Sequence, residues 1–294
     1  MFNVQNIPQI VLDETFRGIE SEVTSLADVV CTRVEVADLA GILPTAPSIN
    51  SLAQLKPGLP EGAEPSEKIM DFTSTNYNCL RYVGLGVVTD GVRMSLEAMN
   101  YAPLEVLARS CRQTAGSGID GLLNTVLSSA ALNTAQAAGA GVWSNPASTP
   151  LDDIQAATRA NGHGDLMVLG NNVAFFLQEH PDFVSRFSNF SGGAISEGEL
   201  VNTINNIWPW ITKVIVGGRM YNSANPSAAA TVAFQFDDLA WCGHSSDLVL
   251  TEMGAGRVET QRDLRREAEE VLFSRRCDIV RPHQEMGVVI TGVA

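Results

Sequence analysis

Five prolines, Pro44, Pro47, Pro57, Pro60 and Pro65, crowd the stretch PTAPSINSLAQLKPGLPEGAEP. A ring-locked φ and a missing N–H bar such a stretch from a helix interior and from a central strand. Strand-like residues stand on both sides of it. VVCTRVEVADLA (Val29–Ala40) alternates as a strand, and β-favouring residues resume from Ile69 to Val88. Residues 37–81 therefore read as a long, irregular hairpin. With about 20 residues per arm at about 3.3 Å each, it reaches on the order of 60 Å when extended. A hairpin of that length folds back or lies on something else. The leucines Leu52, Leu55 and Leu59 and Ile69 need cover, at about 25 cal/mol per Å² of apolar surface.

Ahead of the hairpin, residues 1–29 mix apolar and acidic side chains, with one short helix expected near Phe16–Leu26. Behind it comes the clearest element. APLEVLARSCRQTAGSGIDGLLNTVLSSAAL places apolar or small residues at Leu104, Leu107, Cys111, Ala115, Ile119, Leu122, Val126 and Ala130. That stripe predicts a helix of about 28 residues, roughly 40 Å long, with Pro103 tolerated in its first turn. Gly116, Gly118 and Gly121 interrupt it at about 1 kcal/mol each relative to alanine. Helix and strand then alternate. TPLDDIQAATRA opens with Thr149 as N-cap and Pro150 at the first position, DLMVLG is a short buried strand, and NNVAFFLQEHPDFVSRF is a helix broken at Pro181. SEGELVNTINNIW carries Ser196 and Glu199 at capping-box spacing, and TKVIVGG, ATVAFQF and SDLVLTE are further strands.

The last stretch, EEVLFSRRCDIVRPHQEMGVVITGVA, gathers Arg275, Arg276, Cys277, Asp278, Arg281, His283 and Glu285. These are side chains of active sites. Val271, Phe273, Cys277 and Ile279 nonetheless alternate with polar neighbours, which is strand periodicity, and GVVITGV is a second strand beyond Pro282 and Gly287. Cys277 and His283 offer a nucleophile and a base, but no glycine loop or orienting partner accompanies them. A sheet bearing surface arginines is the expected outcome. WCGHSSD offers Cys242, His244 and Asp247 to a metal without completing a structural zinc set. GLGVVTDG lacks the third glycine of a dinucleotide loop, and TAGSGID lacks the spacing of a nucleophile elbow. No catalytic, metal or cofactor residues are assigned.

Charge narrows the field further. A formal net charge of −14 repels DNA and anionic lipid, whereas sequence-independent nucleic-acid binding needs surplus cations. No run of about 18 apolar residues spans a membrane, and MFNVQNIPQIVLDETF lacks the basic and apolar regions of a secretory signal. Five scattered cysteines with no C-x-x-C suit free thiols.

The order of these elements resembles the major capsid protein of tailed bacteriophages, the Hong Kong 97-type fold. FTSTNYNCLRYVGLGVVTDGVR followed by APLEVLARSCRQTA is similar to a strand leaving an extended loop and turning into a long spine helix. DLMVLGNNVAFFLQEHPDFVSRF and KVIVGGRMYNSA resemble that family's axial domain. WCGHSSDLVLTE and CDIVRPHQEMGVVITGVA resemble its last peripheral strands. The resemblance implies an α+β chain with an N-terminal arm (1–36), an extended loop (37–81), a peripheral domain with the spine helix (82–150), an axial domain (151–235) and returning peripheral strands (236–294). It implies a non-enzymatic subunit that forms hexamers and pentamers of an icosahedral head around double-stranded DNA. Such a head is a virion capsid built in the host cytoplasm.

Expected subunit contacts are Leu52, Leu55, Leu59, Glu61, Glu64, Glu67, Arg275 and Arg276, and Gly116, Gly118 and Gly121 are expected to let the spine helix bend. The partners implied are further copies of the chain, a portal, a separate scaffolding protein and a decoration protein, with DNA enclosed without sequence-specific binding and no membrane. Scaffolding is expected to be separate because the chain leaves no room for a large cleaved N-terminal region. Some members join subunits through a lysine–asparagine bond; only Lys56 and Lys68 stand on the loop here, and no matching motif supports either. The rival within the fold is an encapsulin-type nanocompartment, and the rival outside it is a soluble α/β enzyme.

Overall fold

The computed structural model describes residues 25–45, 73–98, 102–139, 141–186, 194–217, 220–222, 232–234 and 236–293. The elements are helices α1 (Leu26–Val30), α2 (Asp90–Ala98), α3 (Pro103–Ser128), α4 (Pro150–Ala160), α5 (Asn171–Glu179), α6 (Pro181–Val184) and α7 (Glu197–Ile207). The strands are β1 (Thr32–Glu35), β2 (Ala40–Thr45), β3 (Thr73–Asn78), β4 (Leu80–Thr89), β5 (Thr134–Ala137), β6 (Leu166–Gly170), β7 (Lys213–Gly217), β8 (Met220–Asn222), β9 (Val232–Phe234), β10 (Ala240–Gly243), β11 (Val249–Glu252), β12 (Arg257–Asp263), β13 (Ala268–Val280) and β14 (Gly287–Thr291). The chain forms two compact units. Among the described residues, the first takes those within 25–41, 77–123 and 250–279; the second takes those within 42–45, 73–76, 124–249 and 280–293.

In the first unit β13 organises the sheet. It pairs antiparallel with β12 over Ala268–Ser274 and with β4 over Ala268–Cys277, and β11 and β1 continue the sheet beside it. The alternation expected of the terminal stretch holds: Val271, Phe273, Cys277 and Ile279 are all buried. Val271 and Phe273 face α3, where they meet Ala108, Cys111 and Ala115, with Leu107, Tyr82 and Val258 closing the layer. The GLG of β4 permits this contact. A Cβ on Gly84 would sit 1.9 Å from the Cys111 carbonyl oxygen, and one on Gly86 would sit 2.4 Å from Leu107 Cδ1. These glycines let a helix backbone approach a strand; they hold no phosphate.

The second unit is built on a sheet ordered β5-β14-β10-β6-β7. β10 is antiparallel to both β14 and β6, while β14–β5 and β6–β7 are parallel. Met167, Leu169, Val173, Leu177, Phe183, Ile204, Cys242 and Val288 belong to its one large core. The capping box of α7 forms as the spacing predicted, with the Ser196 hydroxyl accepting from the Glu199 amide and the Glu199 carboxylate accepting from the Ser196 amide. α5 ends at His180, immediately before Pro181 opens α6.

Two expectations change. Val29 and Val30 end α1 and do not begin a strand, because Ser25 and Asp28 form a capping box over that short helix. The expected helix near Phe16–Leu26 lies outside the described residues except at Leu26. Thr149 stands at the N-cap of α4 but makes no side-chain cap bond. Within 236–293, residues 250–279 belong to the first unit, while 236–249 and 280–293 belong to the second, where β10 and β14 share the sheet of β6. Of the long hairpin, the base is present as the β2–β3 pair. The positions of Leu52, Leu55, Leu59, Glu61, Glu64 and Glu67 lie outside the described residues. The spine helix runs 26 residues, unbroken through Gly116, Gly118 and Gly121. At Gly118 a Cβ would lie 2.9 Å from the Tyr82 ring.

Gly84 sets the tightest test of this packing. Its missing side chain faces a backbone carbonyl that cannot rotate away, so Gly84→Ala should cost at least the about 1–3 kcal/mol typical of over-packing. Denaturant unfolding measures it, and an unchanged midpoint would refute the close-approach account.

Candidate functional site: the terminal strand and two buried arginines

The alternation of β13 forces residue 275 inward, and that residue is arginine. Arg275 is 6% exposed, so it is not one of the surface arginines the sequence led us to expect; Arg276, the next residue, is exposed. A buried guanidinium persists only when its donors are matched. Arg275 Nη2 donates to Asp28 Oδ1 at 2.6 Å and Nη1 to Asp28 Oδ2 at 3.0 Å, while Nε donates to Glu252 Oε1 at 2.7 Å. Glu252 also pairs with Arg33. Asp28 in turn belongs to the α1 capping box, and Asp120 on α3 accepts from the Leu26 amide at 2.6 Å. One network thus ties α1, α3, β1, β11 and β13 together. Burial alone would raise the Asp28 carboxyl, but hydrogen bonds and charge from Arg275, with help from Ser25, hold it below its ordinary value. The same carboxylates raise Arg275 despite its burial.

Arg281, in the second unit, is the contrasting case. Its side chain is fully buried and donates from Nε to Asp247 Oδ2 at 3.0 Å and from Nη2 to the His283 carbonyl at 3.2 Å. Its guanidinium lies 5.4 Å from the Trp241 ring centroid. Among the described residues Arg281 Nη1 and Asp247 Oδ1 have no hydrogen-bond partner. Burial therefore prevails over the pairing: it raises Asp247 and lowers Arg281. Trp241 Nε1–H donates to Asn133 Oδ1 at 2.6 Å, and Asn133 Nδ2 donates to the carbonyls of Val126, Leu127 and Ser129, closing the C-terminus of α3.

The chemistry weighed in the sequence resolves into structure. Burial pushes the thiols of Cys277 and Cys242 up to about 12, which leaves no thiolate for attack or metal binding near neutral pH. His244 Nε2 lies 2.8 Å from the Asn161 carbonyl, and Asp247 is committed to Arg281. Among the described residues no group of three His, Cys, Asp or Glu side chains could hold a metal. No described helix is long and apolar enough to cross a membrane.

One constellation escaped sequence reasoning. Ser148 Oγ lies 3.2 Å from His180 Nε2, and His180 Nδ1 lies 3.8 Å from Asp182 Oδ2, which has the outline of a Ser-His-Asp triad. The hydrogen bonds run the wrong way for one. His180 Nδ1 accepts from the Asp182 amide, so the ring proton sits on Nε2 and is donated to Ser148, whose own hydroxyl donates to the Asn145 carbonyl. A serine that accepts from the histidine cannot be deprotonated by it. The set caps α6 and anchors the 145–148 turn.

Arg275→Met should cost about 3–5 kcal/mol, the usual price of stranding a buried carboxylate, measured by chemical denaturation. A loss under 1 kcal/mol would contradict the network. The Asp28 contribution also has a definite pH sign. Because its folded value is depressed, the stabilisation is full above its ordinary value of 3.8 and is lost as pH falls below it. The stability gap between the native chain and Asp28→Asn should therefore shrink below about pH 4; a gap that is constant or grows on acidification would reverse the assignment.

No family model and no curated protein matches the sequence. Solved structures do match along the whole length. A phage-related protein from Bordetella bronchiseptica RB50 superposes with a TM-score of 0.68 at 15% identity, covering 97% of each chain. The virus-like particle from Pyrococcus furiosus gives 0.58 at 10% identity, covering 94% of this chain and 96% of that one. The mature capsid of bacteriophage PhiM1 gives 0.54 at 11% identity, covering 93% and 89%. Matched over nearly its whole length, the chain has the Hong Kong 97-type fold of phage capsid proteins.

Proposed function

We propose that the chain is the major capsid protein of a tailed phage, assembling through hexamers and pentamers into an icosahedral head around double-stranded DNA. The observation that carries this reading is coverage. The likeness to the PhiM1 capsid chain extends over nearly the whole of both chains and is not confined to one module. Repeated heterologous contacts that close by rotation give rings, and rings of two sizes tile a shell. A net charge of −14 suits a wall that must enclose DNA without holding it. In this reading the 37–81 hairpin lies across a neighbouring subunit, the spine-helix glycines accommodate bending during shell expansion, and portal, scaffolding and decoration proteins complete the particle.

The Pyrococcus furiosus particle supports a second reading, an encapsulin-type shell around a protein cargo. Electron microscopy of the chain, expressed alone and beside its scaffolding protein, should show closed shells. A chain that stays monomeric at every concentration, with no shells under either condition, would overturn both readings. Nuclease-protected DNA inside particles selects the phage head, and a packaged enzyme selects the nanocompartment.

A further inference from the structure

Asp247 and Arg281 form a pair that the second unit buries without completing. Their side chains are almost wholly out of water, at 2% and 0% exposure. Arg281 Nε–H donates to Asp247 Oδ2 at 3.0 Å, yet Asp247 Oδ1 and Arg281 Nη1 have no hydrogen-bond partner among the described residues. Arg275 in the first unit meets two carboxylates, whereas Arg281 meets one carboxylate, two carbonyls and the Trp241 ring. There is little room to rearrange: a Cβ on Gly287 would already lie 2.2 Å from Arg281 Nη2. A buried ion pair with unmatched lone pairs and donors does not recover the hydration it lost. Neutralising the carboxylate relieves that cost.

The same pair holds a turn in place. Arg281 Nη2 donates to the carbonyls of His283 at 3.2 Å and Gln284 at 3.5 Å. Gln284 Nε2 in turn donates to the carbonyls of Ala130 at 3.3 Å and Asn133 at 3.2 Å, just beyond the end of α3. We propose that Asp247 is a proton-operated latch: in mild acid it takes up a proton and tightens the 283–286 turn against the segment that follows α3. The proton goes to Oδ1, which has no donor, while Oδ2 keeps its bond from Arg281 Nε. Arg281 and His283 act on Asp247 from the segment after β13, and Glu285 acts on Arg281. Beside Asp247 itself, His244 is bound to the Asn161 carbonyl and Asp165 accepts from Ser245. Burial outweighs the pull of Arg281 and His283 and raises Asp247 above its ordinary value. Because the folded value is raised, this stabilisation is full below the ordinary value of 3.8 and is lost as pH rises through the folded one. Asp28 in the first unit has the opposite sign, so acid weakens one unit's buried tie and strengthens the other's.

The test uses the full-length chain. All four tryptophans, Trp143, Trp208, Trp210 and Trp241, lie in the second unit, so their fluorescence follows its unfolding in urea. Asp165 in that unit responds in the opposite sense, since its burial is outweighed by the hydrogen bonds of Ser245, which hold it below its ordinary value. The native chain is therefore compared with Asp247→Asn, which keeps Asp165. Between about pH 7 and about pH 4 the native chain should gain stability relative to the variant, by about tenfold in the folded-to-unfolded ratio for each pH unit over which Asp247 is protonated only in the folded chain. A gap that stays constant, or moves in the variant's favour in acid, overturns the proposal. Amide exchange corrected for its intrinsic rate should show protection of residues 283–286 rising in acid in the native chain and not in Asp247→Asn; identical profiles overturn the latch. If the variant does not fold, carbon-13 NMR of the native chain decides: the Asp247 carboxyl should titrate above 3.8, and titration at or below that value overturns the proposal.

Discussion

A guanidinium sealed inside a sheet is the constraint on which the first unit depends. Arg275 gives up most of its hydration at a position where strand alternation allows no escape, and two elements distant from it in sequence, α1 and β11, supply what it lost. Asp28 can serve only if α1 is formed, and α1 is held by Asp120 from α3. Glu252 can serve only if β11 lies beside β13. The ion pair is therefore a condition on assembly of the unit as much as a source of stability: incomplete packing leaves a buried charge unmatched. Arg281 shows the other outcome. Its pair with Asp247 leaves atoms of both partners without hydrogen bonds, and burial wins over attraction. Two arginines on successive segments of one chain thus sit on opposite sides of the balance between desolvation and Coulomb attraction.

Periodicity made much of this architecture legible. The α3 stripe, the strand alternation of 271–279, the capping box at Ser196 and the break at Pro181 all follow from local spacing, and local spacing is visible in a sequence. What stayed hidden depends on partners far away. The apolar members of the β13 stripe were plain, but Arg275 at the same phase looked like a surface residue because its carboxylates lie 23 and 247 residues away. Asp120 and Asn133 were passed over for the same reason. Val29 and Val30 favour strand on intrinsic grounds, and only the cap at Ser25 turns them into a helix. GLG resembled a fragment of a phosphate loop, since close backbone approach calls for glycine whether the visitor is a phosphate or a helix.

The Ser148–His180–Asp182 set carries a related lesson. Distances alone present a hydrolase; the donors and acceptors present a turn. Nδ1 of the ring is already occupied by an amide, and that single hydrogen bond fixes the tautomer and removes the base. Function in this molecule is better sought on its surfaces, where exposed apolar rows have no cover among the described residues, than in the described polar interior, where nearly every group answers to packing.

All five cysteines, Cys31, Cys79, Cys111, Cys242 and Cys277, are buried and form no disulfide. None meets a sulfur outside the fold without local unfolding. In the proposed shell, disulfides would then take no part in the joints between copies, and a subunit seated in the wrong place would be free to detach and try again before the structure closes around it.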